Sequence, residues 1–345
     1  MSELVLIANA GDGTISTLRL HRDPEPRLEV LATSGELEGC GTFAVDSEND
    51  LVFAAYKGDP PGIAVLRLDR EDGALTELSR TDVSDGLTYL ALAQGGAALL
   101  GASYGGGFGA VWPVEGQRLG EQHSSFTYDN LHCIISAEVH GDFGGGERVY
   151  AVSLGEDLIA QFRFDEDGNL APLEPAVAQA PEGSGARHLV VDGMNAYLVT
   201  EFSGEAIRYE IRPDGSLDQA EAVGVVDPGA DLAHSRFGAD PQEENLIWGA
   251  DVHRAGEFLI TSERSSSMLT VTRVGEDGRL GEVVGFTATE QVPRGFNVSP
   301  DGRFVVAVGE ESTHAQLLEL DADGTLTERD RVEIGAGANW VRFLR

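Results

Sequence analysis

The sequence predicts an all-β chain: a seven-bladed β-propeller with four antiparallel strands per blade, the ring closed by the C-terminal strand in blade one. Three observations carry the prediction. Short apolar segments alternate with turns throughout, and no stretch shows the 3.6-residue period of an amphipathic helix. An acidic-Gly-x-Leu turn recurs along the chain. The two ends are incomplete in complementary ways, since the chain opens on a second-strand sequence and finishes on an orphan strand.

The elements follow in order from these marks. LVLIAN from Leu4 and GTISTLRL from Gly13 read as the second and third strands of blade one. The turn then recurs at Gly73, Gly168, Gly215, Gly278 and Gly324, with a looser copy at Gly116. Except at the loose copy, each turn follows an alternating strand such as IAVLRL, LIAQFRF or MLTVTRV. A more apolar strand such as LVFAA, RVYAV or FVVAV lies before that. First strands starting near Gly41, Thr88, His132, Arg187, Ala250 and Arg294 are spaced by 44 to 63 residues, the size of a four-stranded blade. The last strand, Asn339 to Leu344, is expected to pair with Leu4 to Ala8 and so remove the exposed sheet edge. The stretch from Val223 to Leu246 is read as an insertion between blades. Residues 1–345 are read as one propeller domain.

Composition narrows the function classes. With 58 acidic and 24 basic residues the net charge is -34, which argues against nucleic acid or an anionic membrane as partner. Cys40 and Cys133 form no metal-spaced cluster and no disulfide framework, and no run approaches the roughly 20 apolar residues that span a bilayer. A soluble cytoplasmic protein is the expectation. His234, His253 and His314 lack the short spacings of a zinc site, so neither metal nor cofactor is expected.

One hairpin shows where chemistry gathers. In GARHLVVDGMNAYLVTEF the segment Asp192 to Asn195 is a tight turn, and Arg187 and Glu201 lie seven residues either side of Met194, at one end of the sheet. The same strand ends in the other blades collect Asn9, Tyr56, Lys57, Tyr104, His132, Arg264, Arg294 and Asn339. That mouth suits a small anion.

Seven segments carry a family resemblance that spans essentially the whole chain: SYGGG from Ser103, LHCI from Leu131, GARHLVV from Gly185, TEF from Thr200, GADVH from Gly249, SERSSSMLTV from Ser262 and EQVPRGFNVSPDGRFVVA from Glu290. The chain resembles the seven-bladed propeller lactonases, the family that includes bacterial 6-phosphogluconolactonase and fungal carboxymuconate lactonising enzyme. PRGFNV and the terminal GANWV look most like the 6-phosphogluconolactonase branch. Two departures, Ala186 where the family usually has proline and Thr200 where it usually has asparagine, remove no ionisable group.

The resemblance implies hydrolysis of 6-phosphogluconolactone, in the pentose phosphate pathway, at a site of His132, Arg187, Glu201 and Arg264. Lactone opening needs a base for water and donors for the oxyanion, which these residue types supply. The base is Glu201 or His132. Lys57, Arg294, Tyr104 and Arg236 are the candidates for substrate binding, with Arg294 preferred for the phosphate. Bland readings stand beside these: a structural Arg187–Glu201 ion pair, Arg264 paired with Glu263, Arg294 paired with Glu290. A carboxymuconate cycloisomerase and a non-catalytic, partner-binding propeller are the alternatives.

Overall fold

The computed structural model describes residues 3–139 and 146–344, and these form seven four-stranded antiparallel sheets. Residue type decides where each strand sits within its sheet. Leu51–Tyr56 and Phe304–Val308 are apolar almost without interruption and buried at every position, because neighbouring blades cover both of their faces. Outer strands such as Leu75–Asp82 are mostly polar and exposed, which suits the rim.

The innermost strands are Ala338–Phe343, Thr42–Asp46, Tyr89–Ala93, Leu131–Val139, Ala186–Asp192, Gly249–Ala255 and Gly295–Val298, in blades one to seven. Each packs on the next around the ring. The C-terminal strand closes it as the complementary chain ends require: Val5 faces Phe343 and Ala8 faces Trp340 in blade one, and the strand also touches the inner strands of blades two and seven. The other six first strands begin within one residue of the positions read from the repeat. One boundary is corrected: Val223 and Gly224 pair within the outer strand Leu217–Gly224, so the insertion begins after them, and it contains a 3₁₀ turn at Pro228–Ala230 and a single α-turn at Pro241–Glu244. Asp240 caps that turn by accepting from the backbone of Gln242 and Glu243, with Pro241 in the first position; one turn is too short to register as a period.

Four inner strands carry one residue too many. Leu131 pairs with Ser153 and Cys133 with Val152, leaving His132 over. Ala186 pairs with Thr200 and His188 with Val199, leaving Arg187 over. Ala250 and Asp251 lie in the slip between Gly249 and Val252, and Asn339 in that between Ala338 and Trp340. The inner strands of blades two, three and seven pair without a slip. A bulge interrupts the up-down alternation and turns a side chain away from where the pleat would send it. The register read around Met194 is therefore corrected: Asp192 pairs with Asn195, so a regular ladder would set Arg187 opposite Thr200, and the bulge brings the arginine to Glu201.

Candidate active site

Where the inner strands begin, the channel opens into a cavity of about 650 Å³. His132, Arg187, Glu201, Arg264, Arg294, Tyr104 and Lys57 all line it. Arg236 does not: it lies on the insertion, largely exposed, with Nη2 2.6 Å from Glu244. Asn9, Tyr56 and Asn339 also fall outside the lining. Asn9 is buried and donates to the hydroxyls of Thr14 and Ser16, and the Tyr56 ring lies under the Arg80 guanidinium.

Glu201 is the centre of the arrangement. Its Oε2 accepts from Arg187 Nε and from Arg264 Nη2, both at 2.7 Å. Burial alone would raise the carboxyl pKa, but Arg264 and Arg187 hold it below its ordinary value, so the group is a carboxylate near neutral pH. Its Oε1 accepts from none of the described residues. Arg187 is fully buried and its remaining bonds are those of Nη1, to the Ala250 carbonyl and to His188 Nε2 at 3.3 Å. Arg264 donates to the carbonyls of Trp248 and Gly249 and stacks on the Trp248 ring at 3.8 Å. Gly249 also lets the backbone of blade five come close, because a Cβ there would collide with the carbonyl oxygen of Thr200. Arg187 Nη2 and Arg264 Nη1 donate to no described protein atom.

Desolvation is the common state of these cations. Burial lowers the Arg187 pKa and takes Arg264 down to about 9, in both cases against the pull of Glu201. Burial and then Arg294 lower Lys57, while Glu310 and Asp85 oppose the shift. Arg294 pairs with Glu310 at 3.1 Å and not with Glu290, which is held by Arg331. Arg264 likewise ignores Glu263, whose carboxylate accepts instead from the backbone of Trp248, Ser265 and Ser266. Four cations and two carboxylates, Asp85 and Glu201, line the cavity, a local positive excess in a chain of net charge -34.

His132 is pushed well below its ordinary pKa, by burial first and then by Arg187 and His188. It is neutral, and its Nδ1 is buried without a partner among the described residues. Its ring stands edge-on to Tyr104, centroids 5.7 Å apart. Beneath it His188, Tyr89 and Trp340 continue a column of rings 4.9 to 5.2 Å apart, which plugs the channel below the cavity. His188 and Asp251, bonded at 2.8 Å, are buried residues that sequence reasoning passed over as parts of the GARH and GADVH segments. Their signal was adjacency to a bulge, which only strand pairing reveals.

The family described as Lactonase, 7-bladed beta-propeller, matches residues 5–343. A 6-phosphogluconolactonase of Enterobacter sp. (strain 638) is 30% identical over 294 residues, 83% of each chain. Among solved structures, a candidate 6-phosphogluconolactonase of Bacteroides fragilis superposes with TM-score 0.85 at 22% identity, over 100% of this chain and 98% of its own. A periplasmic gluconolactonase of Pseudomonas aeruginosa does so with TM-score 0.84, also at 22% identity, over 100% and 99%. At that identity the likeness is one of fold. Among the described residues no helix is long and apolar enough to cross a membrane.

Proposed function

The chain belongs to the seven-bladed β-propeller lactonase family, and on that premise we propose that it hydrolyses a sugar δ-lactone, with 6-phosphoglucono-1,5-lactone as substrate and 6-phosphogluconate as product. One observation carries the reading. Two buried guanidiniums share a single carboxylate oxygen of Glu201, and among the described residues each keeps one nitrogen free of protein acceptors while the other carboxylate oxygen, Oε1, accepts from none. Base and oxyanion donors are thus fixed to one another before substrate arrives, so no reorganisation is needed as charge develops.

In this mechanism Glu201 Oε1 takes a proton from water as the water oxygen adds to the lactone carbonyl carbon. Arg187 Nη2 and Arg264 Nη1 donate to the resulting oxyanion. The tetrahedral intermediate collapses by breaking the bond to the ring oxygen, which leaves with the proton returned from Glu201, and the new carboxylic acid ionises. Positioned base catalysis is worth about 10²- to 10⁴-fold and an oxyanion donor about 10²- to 10³-fold.

The unpartnered Nδ1 bears on the part of His132. Burying a bare lone pair costs less than burying an unpaired N–H, so the proton sits on Nε2 and His132 offers the cavity a donor. That favours Glu201 as the base. At the rim, Lys57 and Arg294 take the phosphate. Cys40 and Cys133, buried and unpaired, suit a reducing cytoplasm.

The test is a continuous assay of the purified protein with 6-phosphogluconolactone, unphosphorylated gluconolactone and carboxymuconolactone side by side. Fastest turnover of the phosphorylated lactone is expected, and turnover of carboxymuconolactone alone overturns the reading.

A further inference from the structure

Arg187 is held by more than the carboxylate it serves. Its Nε is taken by Glu201 and its Nη1 by the Ala250 carbonyl and by His188 Nε2, which leaves only Nη2 for the cavity. A guanidinium has no acceptor, so His188 Nε2 must be the acceptor in that contact and the imidazole proton must be on Nδ1. Asp251 enforces this from the other side, because its Oδ1 lies 2.8 Å from Nδ1 and as a carboxylate it can only accept. The opposite tautomer, or an imidazolium, would set an Nε2–H against the arginine N–H, two donors head to head between two buried side chains.

Asp251 is itself held in place. The backbone N–H of Val252 donates to Oδ1 at 3.0 Å, while Oδ2 lies 3.1 Å from His253 Nε2. Tyr89 and Trp340 close on the His188 ring edge-on, and His132 lies against its cavity side, so the ring cannot turn away. Burial, and next Arg187, take the His188 pKa down to about 4, and although burial alone would raise Asp251, His253 and His188 hold it well below its ordinary value. The pair is therefore carboxylate and neutral imidazole across the working range.

We infer that the buried Asp251–His188 pair is the positioning device for Arg187: by fixing the Nδ1–H tautomer it keeps an acceptor on Nη1 and so aims Nη2 at the lactone oxyanion. His188 touches no substrate in this arrangement and acts through the arginine. The inference rests on the proposed role of Arg187 at the oxyanion. It adds that the catalytic arginine of blade five is oriented by a carboxylate of blade six, on the next blade of the ring.

Three variants assayed with the phosphorylated lactone test it. Arg187→Met should lower kcat by about 10²- to 10³-fold; wild-type kcat there overturns the oxyanion assignment and this proposal with it. His188→Phe keeps a flat ring but removes the acceptor, and kcat should fall about 10²-fold with KM within a factor of about three, since an interaction made only in the transition state is lost. His188→Gln restores an acceptor for Nη1 and should recover kcat to within about tenfold of wild type. Denaturant unfolding of both His188 variants identifies the folded fraction, to which rates are referred. If Arg187→Met is inactive while His188→Phe keeps wild-type kcat, or if Phe and Gln lose kcat equally when fully folded, positioning is overturned and the oxyanion role of Arg187 stands.

Discussion

Blade five and blade seven are built to the same four-stranded plan, yet they present their arginines differently because of a single residue. In blade five the inner strand is bulged at Arg187, and the side chain is fully buried and held at Nε and Nη1. In blade seven the inner strand pairs without a slip, and Arg294 stands just ahead of it, half-exposed, with one carboxylate partner, Glu310. Rigid and desolvated suits a charge that must meet a developing oxyanion; partly exposed and singly paired suits one that must take up a doubly charged phosphate. The blade that carries an extra residue aims its arginine, while the regular blade only presents one.

The largest effect that could break this contrast is at Glu201. Glu201→Gln cannot accept a proton and leaves two buried guanidiniums sharing a neutral amide, so kcat/KM should fall by about 10³-fold, further than in His132→Gln. A larger loss in His132→Gln would move the base to the histidine.

Next comes the pH dependence of stability. Folded His188 sits at about 4 against an ordinary 6.5. Between those values the unfolded chain binds the proton and the folded chain does not, so stability is full above about pH 6.5 and is lost as pH falls, by up to about 3 kcal/mol. Urea denaturation across that window should show a shallower slope in His188→Gln than in wild type.

Arg294→Ala should raise KM for the phosphorylated lactone about tenfold while leaving unphosphorylated gluconolactone within about twofold. Equal effects on both substrates would place Arg294 outside phosphate binding and erase the division of labour between the two blades. The smallest effect is expected at Arg236. Exposed and paired with Glu244 outside the cavity, it should leave both constants unchanged when replaced by alanine, and steady-state kinetics read this directly.

What the sequence determined by itself was local. The alternation in IAVLRL or LIAQFRF, the Gly at each recurrent turn, and the mismatched chain ends specified strands, blades and the closure of Ala338–Phe343 onto Glu3–Asn9, because strand pattern and turn chemistry are properties of neighbouring residues. Seven of the eight candidate site residues line one cavity because strand order sends these strand ends to one face. Tertiary structure decided the rest. A bulge leaves the apolar pattern almost untouched, so nothing local showed that Arg187 would step out of register to reach Glu201. Hydrogen-bond partners drawn from a neighbouring blade have no sequence signature: Asp251 meets His188 across 63 positions, Arg264 passes over its neighbour Glu263 for Glu201, and Arg236 is left outside because a one-turn helix carries Glu244 to it. Ionisable groups settle on whichever partner the packed blades bring within reach, and in a propeller that partner comes from the next blade as readily as from the same strand.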